Sequence, residues 1–251
     1  MADQRFDIIG VKISETTMAC AKDYLLNYFD SARNNYICVS NVHTTVTARE
    51  NTFYREVQNN SFLTLPDGKP LSIIGKKRGL NIERVTGPDF MESIFEDERF
   101  INYNHFFYGN TKENLDIFIK HIKSNYPDLK VCGYEESVFR DMNDDEKENL
   151  KKRIIYSKAD FVWAALGAPK QEIFCSEMCK GSNAVWIGVG GAFNVVAGII
   201  PRAPKWMQNL SLEWMYRLTR EPKRLFKRYL LSNTKFIWYL FLSYIRGKNE
   251  R

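Results

Sequence analysis

Residues 161–172, FVWAALGAPKQE, contain the pattern that decides the fold of this chain. The apolar run over residues 161–166 has the length of a buried strand, Gly167 permits a sharp turn after it, and Pro169 suits the first position of a following helix. A buried strand that passes through a short turn into a helix is the repeating unit of a parallel sheet. The segment therefore predicts an α/β fold.

The same alternation of strand-like and helix-like segments extends over the first 200 residues. Strands are predicted at residues 7–13, 36–40, 61–65, 105–108, 129–133, 161–166 and 184–189, and helices at residues 16–32, 44–57 and 111–126. Thr111 or Asn110 is expected to cap the last of these helices. Such alternation predicts a mostly parallel, Rossmann-like sheet with helices on both faces.

Residues 201–251 differ in composition from the rest of the chain. They contain 12 Lys or Arg and 3 Asp or Glu, a net charge of +9, whereas the remaining residues have a net charge of −3. Aromatic residues and arginines recur in this region at a helical spacing. We therefore expect an α/β domain over residues 1–200, followed by a basic, aromatic-rich helical appendage over residues 201–251.

The appendage admits two interpretations. A basic segment rich in Trp and Tyr is typical of a helix in a membrane interface, and the longest apolar run, residues 236–242, is too short to span a bilayer. A terminal helix pair packed against the core, or against another subunit, would have the same composition, so homo-oligomerisation stays open. The localised positive charge indicates an acidic partner: phospholipid, a diphosphate or nucleic acid.

The placement of cysteine and histidine argues against disulfides and metal sites. The five cysteines are odd in number and not closely paired, and packing is the favoured role of Cys175 and Cys179. The three histidines are scattered, and no Asp-x-Asp pattern follows a strand. We therefore expect neither a metal site nor a cofactor.

The N-terminus is charged and no long apolar run follows it, which predicts the absence of a signal peptide.

Asp67 is the first candidate for chemistry. It lies in Pro66-Asp67-Gly68, directly after a predicted strand. Asp-Gly is common in tight turns, and a turn alone explains the segment. Open α/β sheets, however, place their sites at the carboxyl ends of strands, where a carboxylate can act as a general base.

Two glycine-containing turns are candidates for ligand binding. In residues 167–172, GAPKQE, a helix N-terminus would present free amides to an anion, and Gln171 would hydrogen-bond a base or a sugar. In residues 188–193, GVGGAF, Gly190 and Gly191 allow a ligand to approach the backbone closely. The glycine spacing is not that of the dinucleotide-binding fingerprint, and ordinary turn chemistry also explains both segments.

Arginines of the appendage are the third set of candidates. Arg217 and Arg224 lie in the segment 213–224, and guanidinium groups match the geometry of phosphate oxygens. A solvated helix face would explain the same residues. Glu213 and Arg217 stand four residues apart, where they would pair with each other.

Together and in this order, these segments resemble the WecG/TagA/CpsF family of bacterial glycosyltransferases. The matching segments are Asn41, LPDG at 65–68, ERVTG at 83–87, YG at 108–109, GAPKQE at 167–172, GVGGAF at 188–193, RAP at 202–204, and EWxxR through EPxR over 213–224. They cover most of the chain. The PKQE segment and the EW…R…EPxR segment are quite specific for the family.

The resemblance implies an inverting, metal-independent enzyme. It would transfer N-acetylmannosamine, its uronic acid or a hexose from a UDP-sugar to an undecaprenyl-diphosphate-linked acceptor, in the synthesis of cell-surface polysaccharide or teichoic acid. It would be cytoplasmic and bound peripherally to the anionic inner face of the cell membrane, with no nucleic acid as partner. The alternative hypothesis is a basic-tailed nucleotide- or nucleic-acid-binding protein without transferase activity.

The resemblance also implies roles for individual residues. Asp67 would be the catalytic base. The substrate-binding residues would be Asn41, Arg84, Gly109, Gln171, Gly190, Gly191, Arg217, Arg224 and Lys227, with no metal ligand among them. The appendage would associate with the membrane and complete the site by bringing its basic residues to the diphosphate. This chain departs from the family at Asn194, where Asp is usual, and at Lys227, where Arg is common.

Overall fold

A six-stranded parallel sheet forms the centre of the structure, a computed structural model that describes residues 4–209, 212–220 and 222–249. The strands in these residues are β1 (Arg5–Ile8), β2 (Val11–Ser14), β3 (Asn35–Ser40), β4 (Leu63–Pro66), β5 (Asn104–Gly109), β6 (Lys130–Glu135), β7 (Phe161–Ala165) and β8 (Val185–Gly188). The order in the large sheet is β4-β3-β8-β7-β5-β6, and its pairings are parallel. The predicted fold class is confirmed.

The prediction of one strand over residues 7–13 is wrong, because β1 and β2 form an antiparallel hairpin. Ile9 and Gly10 make the turn between them, and both have positive φ, 51° and 96°. Positive φ at both central residues is the pattern of two-residue turns that match the twist of a hairpin. Glycine adopts it readily and isoleucine rarely does, so the apolar Ile9 hid the turn inside an apparently continuous strand.

Helices lie on both faces of the large sheet, and the last helices of the chain come after β8, the last strand in the sequence. They are α1 (Met18–Asn27), α2 (Phe29–Ala32), α3 (Val42–Glu50), α4 (Thr52–Asn59), α5 (Lys69–Lys77), α6 (Gly87–Phe95), α7 (Lys112–Asn125), α8 (Asp144–Tyr156), α9 (Lys170–Met178), α10 (Ala192–Val196), α11 (Lys205–Asn209), α12 (Glu213–Arg220) and α13 (Pro222–Asn249), with a 3₁₀ helix at Glu98–Phe100. Thr111 caps α7 as predicted. The single helix predicted over residues 44–57 is instead α3 and α4, because Asn51 ends the first and its side chain caps the second.

Two hydrophobic clusters cover the two faces of the large sheet. Neighbouring strand residues enter opposite clusters: Trp163 of β7 joins the cluster that includes α1, α6, α7 and α10, whereas Val162 joins the one that includes α8 and α9. Because both faces are covered, the strands are continuous apolar runs rather than alternating ones. Polar side chains with access to substrate are therefore expected at the strand ends.

The last helix, α13, packs on the core. Phe236 is 4% exposed and belongs to a third hydrophobic cluster, which includes the β1–β2 hairpin, α3 and α5. Lys235 Nζ and the Tyr239 hydroxyl both bond to Glu50 Oε1 on α3, at 2.7 and 2.8 Å. The helical character of the appendage is thus confirmed. Within the described residues, none of the helices combines the length and the apolar composition that a bilayer crossing requires.

We predict that Phe236→Ala lowers the free energy of unfolding by about 3–5 kcal/mol, because it leaves a cavity in place of a buried aromatic ring. Phe241, on the same helix, is 53% exposed, and Phe241→Ala should change the stability by less than about 0.5 kcal/mol. Urea unfolding of both variants measures the difference. Equal losses in the two variants would show that α13 is not docked through Phe236.

Candidate active site

The predicted site residues of the α/β domain lie at or near the carboxyl edge of the large sheet. The strand that follows β3 in the sequence, β4, lies at one edge of the sheet, and the strand that follows β5, β6, lies at the other edge. The direction of winding therefore changes in the middle of the sheet, where β8 and β7 lie. Open α/β sheets bind ligands in the crevice at such a change of direction. The residues at these strand ends are Asn41 after β3, Asp67 after β4, Gly109 at the end of β5, Gln171 after β7, and Gly190 and Gly191 after β8.

Asn41 and Asp67 are brought together by the contact between the ends of β3 and β4. The Asp67 amide donates to the Ser40 carbonyl at 2.8 Å. A Cβ atom added to Gly68 would lie 3.3 Å from Asn41 Cα, so the two turns are in close contact. Asn41 also caps α3, since its Oδ1 accepts from two amides of the first turn at 3.0 and 3.2 Å. Its side chain is therefore held in place beside the Asp67 turn.

Arg84 joins Asp67 to the appendage. Its Nε donates to the Asp67 carbonyl at 2.8 Å, and its Nη2 lies 3.8 Å from Asp67 Oδ1 and 2.7 Å from Glu213 Oε2. Burial acts to lower the pKa of the Arg84 guanidinium, but the negative charges of Asp67 and Glu213 raise this pKa overall. Arg84 therefore stays charged and holds α12 close to Asp67. The Asp67 side chain is 27% exposed, so a substrate hydroxyl can reach it.

The first turns of α6 contact the start of the appendage. The Arg202 guanidinium bonds to the Asp89 carboxylate and, at 3.3 Å, to Glu92 Oε2. Gly87, the first residue of α6, lies against the turn after β8, where an added Cβ atom would be 3.2 Å from the Val189 carbonyl oxygen. The α6 helix thus connects the start of the appendage with the glycine-containing turn.

Gln171 is buried beneath the turn after β8. It is 4% exposed, its Oε1 accepts from the Gly167 amide at 3.1 Å, and its Nε2 donates to Glu172 Oε1 at 2.8 Å. Cβ atoms added to Gly188 and Gly190 would lie 3.2 Å from Gln171 Cγ and 3.4 Å from its Oε1. The structure thus places Gln171 as a support of the two turns after β7 and β8, and its contact with substrate stays a prediction.

Of the two other predicted glycines at this edge, Gly109 is buried and Gly191 is exposed. Gly109 has φ of 121°, and an added Cβ atom would lie 2.6 Å from the Ala165 carbonyl oxygen, so a larger residue does not fit without displacing β7. Gly191 is exposed, and an added Cβ atom would meet nothing within 4 Å, which leaves room for a ligand. Next to Gly109, Asn110 Nδ2 donates to Asn194 Oδ1 at 2.6 Å, which ties α10 to the end of β5.

A carboxylate beside a partly buried arginine, close to glycine turns and helix N-termini, suits group transfer from a phosphate-bearing donor. The family described as Glycosyl transferase WecG/TagA/CpsF family matches residues 6–250. The chain belongs to this family. It is a glycosyltransferase, so the resemblance seen in the sequence is confirmed, and a nucleic-acid-binding protein without transferase activity is disfavoured.

Two curated relatives from Bacillus bear the same name, N-acetylglucosaminyldiphosphoundecaprenol N-acetyl-beta-D-mannosaminyltransferase. The protein from Bacillus spizizenii is 30% identical over 212 residues, which are 84% of this chain and 80% of the relative. The protein from Bacillus subtilis (strain 168) is 32% identical over 217 residues, which are 85% of this chain and 82% of the relative.

In this family member, the predicted phosphate-binding residues of the appendage stay predictions. Arg217 belongs to α12 and Arg224 to α13, but their side chains lie outside the described part of the structure. Lys227 is exposed on α13. Glu213 is the appendage residue that the structure brings to the site, where it pairs with Arg84; its expected pairing with Arg217 is not tested.

The glycosyltransferase offers no evident metal ligands in the part of the chain that the structure describes. No three or more His, Cys, Asp or Glu side chains lie close enough together there to hold a metal ion. Cys175 and Cys179 are buried in the hydrophobic cluster that includes α8 and α9, which agrees with a packing role.

Two glutamates at this site were not predicted as site residues. Glu213 lies 129 residues from its partner Arg84, and Glu172 lies 118 residues from its partner Tyr54. Both glutamates belong to segments that carry the family resemblance, which was the available signal. The identity of their partners, however, depends on how distant elements pack.

Proposed function

We propose that this glycosyltransferase is an inverting, metal-independent enzyme that moves a sugar from a UDP-sugar to an undecaprenyl-diphosphate-linked acceptor. The sugar is N-acetylmannosamine, its uronic acid or a hexose, and the product enters a cell-surface polysaccharide or teichoic acid. The observation that carries the proposal is the position of Asp67, an accessible carboxylate beside Arg84 at the carboxyl edge of the sheet.

The names of the two relatives support this acceptor class. Both names specify an N-acetyl-beta-D-mannosaminyl group and N-acetylglucosaminyldiphosphoundecaprenol. The family match over residues 6–250 includes the α/β domain and nearly all of the appendage. We therefore extend to this chain an acceptor sugar that is linked to undecaprenol through a diphosphate.

Asp67 is the general base of the proposed reaction. Its carboxylate takes the proton of the acceptor hydroxyl as the hydroxyl oxygen attacks the anomeric carbon of the donor. The bond between this carbon and the β-phosphate oxygen of UDP breaks on the opposite face. The configuration at the anomeric carbon therefore inverts, and UDP leaves with an additional negative charge.

Positive groups are needed to stabilise the charge that develops on the leaving diphosphate. Arg84 is already in place beside Asp67, and we assign Arg217, Arg224 and Lys227 of the appendage to the diphosphate. Helix N-termini at the carboxyl edge add backbone amides. Together these groups take the role that a divalent cation would otherwise fill.

The appendage is proposed to hold the enzyme on the cytoplasmic face of the cell membrane, where a lipid-linked acceptor resides. Exposed apolar residues on α13 include Ile237, Trp238, Phe241 and Tyr244. Exposed aromatic rings together with basic residues are typical of helices that lie in an anionic membrane interface. Because Arg84 holds α12 close to Asp67, the same appendage would complete the active site at the membrane.

We predict that Asp67→Asn lowers turnover by roughly 100-fold or more, because the amide cannot accept the proton of the acceptor hydroxyl. The binding of UDP, measured by calorimetry, should be unchanged. The assay is transfer from a panel of labelled UDP-sugars to an undecaprenyl-diphosphate-linked N-acetylglucosamine. Asp116→Asn, in an exposed ion pair with Lys112, is the control. Near-normal turnover of Asp67→Asn would remove Asp67 from the role of base.

We predict that the rate of transfer does not change in excess EDTA, because arginines and helix amides stabilise the leaving group. The same assay, run with and without the chelator, measures this. A loss of rate that Mg²⁺ or Mn²⁺ restores would contradict the metal-independent mechanism.

We predict that the double variant Trp238→Ser and Phe241→Ser loses most of its binding to phosphatidylglycerol-containing vesicles, because it removes exposed aromatic groups that enter the interface. Cosedimentation measures the bound fraction. Phe53→Ser, at a residue 57% exposed on α4, is the matched control and should bind like the wild type. Point variants are preferred to truncation, because removal of α13 would uncover the cluster that contains Phe236. Equal vesicle binding by the wild type and the double variant would refute membrane binding through α13.

A further inference from the structure

Glu172 is buried next to the active site but has no part in the proposed chemistry. It is 1% exposed and follows Gln171 in the first turn of α9. Both carboxylate oxygens accept hydrogen bonds, Oε1 from Gln171 Nε2 at 2.8 Å and Oε2 from the Tyr54 hydroxyl at 3.1 Å. Burying a carboxylate costs free energy, and a well-packed apolar side chain of similar volume is often at least as stabilising. Stability alone is thus a weak reason for Glu172.

One chain of hydrogen bonds connects Glu172 to the Asp67 turn. The Ser40 hydroxyl donates to Gln58 Oε1, and Gln58 Nε2 donates to the Tyr54 hydroxyl at 2.8 Å. Tyr54 then donates to Glu172, while the Ser40 carbonyl accepts from the Asp67 amide at 2.8 Å. Burial raises the pKa of Glu172, while the hydrogen bonds from Gln171 and Tyr54 favour its ionised form. Each side-chain donor in this series is oriented toward Glu172, because an ionised carboxylate can only accept.

Gln171 connects Glu172 to the two glycine-containing turns. Its Oε1 accepts from the Gly167 amide at 3.1 Å, and Cβ atoms added to Gly188 and Gly190 would lie 3.2 and 3.4 Å from its side chain. In the described residues, Glu172 Oε1 is the hydrogen-bond partner of Gln171 Nε2. Loss of this acceptor leaves a buried amide unsatisfied and removes the bond that sets its rotation.

We propose that Glu172 is a positioning residue for the sugar-nucleotide donor. It orients the Gln171 amide, and Gln171 in turn fixes the turns after β7 and β8 against which the donor binds. This inference rests on the proposed function, since it is there that the enzyme is assigned a UDP-sugar donor. Glu172 is expected to act on donor affinity, not on proton transfer and not on the acceptor.

Glu172→Met separates positioning from stability, because Met has a similar volume and removes both acceptor oxygens. We expect the variant to melt below the wild type, because the Gln171 amide and the Tyr54 hydroxyl lose their acceptor, so the effect on donor binding is judged against a control variant that is also destabilised. The KM for the UDP-sugar and the Kd for UDP should rise roughly tenfold, as expected for the loss of one hydrogen bond in the site. The KM for the lipid-linked acceptor should stay close to the wild-type value.

Glu172→Gln is the conservative variant that should restore donor binding. Its amide keeps one acceptor oxygen for Gln171, and the Tyr54 hydroxyl and Gln58 amide can turn to satisfy its nitrogen. Ser182→Ala is a matched control at the amino end of β8, where it breaks the buried bond from Trp186 Nε1 at 3.0 Å. It should lower the melting temperature without changing the KM for the donor.

The outcomes separate the inference from the function on which it rests. A wild-type protein that neither binds UDP nor transfers sugar would overturn the proposed function. Wild-type UDP binding together with unchanged donor KM and UDP Kd in Glu172→Met would overturn the role of Glu172 alone. A parallel rise of both KM values with a lower melting temperature would show a merely structural role. A selective rise of donor KM in Glu172→Met, with recovery in Glu172→Gln, supports the inference.

Discussion

The burial of both faces of the parallel sheet is the constraint on which the rest of the structure depends. Hydrophobic clusters cover each face, so a polar group placed within a strand would lose its contact with water. Parallel strands also end at the same edge of a sheet. Polar residues from distant parts of the sequence, such as Asn41 and Asp67, are therefore collected along one border of the α/β domain.

At that border, the α/β domain and the appendage are held together by ion pairs. Arg84 is shared between the Asp67 turn and Glu213 of α12, and Arg202 bonds to Asp89 and Glu92 of α6. These side chains are partly buried, so solvent screens them less than a pair on an open surface. The base proposed for catalysis and α12 of the appendage thus meet at one guanidinium.

A second set of contacts, made of buried hydrogen bonds, lies beneath the turns at the carboxyl edge of the sheet. Ser40, Gln58, Tyr54 and Glu172 join the end of β3 to α9 through buried hydrogen bonds, and Gln171 extends the series to the turns after β7 and β8. Gly68 allows the turn after β4 to approach Asn41, and Gly109 allows the end of β5 to approach Ala165 of β7. Buried hydrogen bonds therefore connect the turns of the site to the helices beneath them.

The sequence alone predicted the parts of the fold that depend on local composition. Continuous apolar runs indicated the six parallel strands, and the Thr111 cap was evident because its bond is made within one turn of α7. The β1–β2 turn was missed because Ile9 occupies a position that glycine usually takes, and the break at Asn51 was missed because α4 continues the helical pattern of α3.

For the site, the sequence determined which residue types stand after the strands, and family resemblance gave Asp67, Arg84 and Gln171 their expected roles. Only the tertiary structure decided which side chains are partners. Arg84 and Glu213 lie 129 residues apart, and Tyr54 and Glu172 lie 118 residues apart. No local periodicity encodes such pairs, because they form only when the packing of helices against the sheet has excluded water from around them.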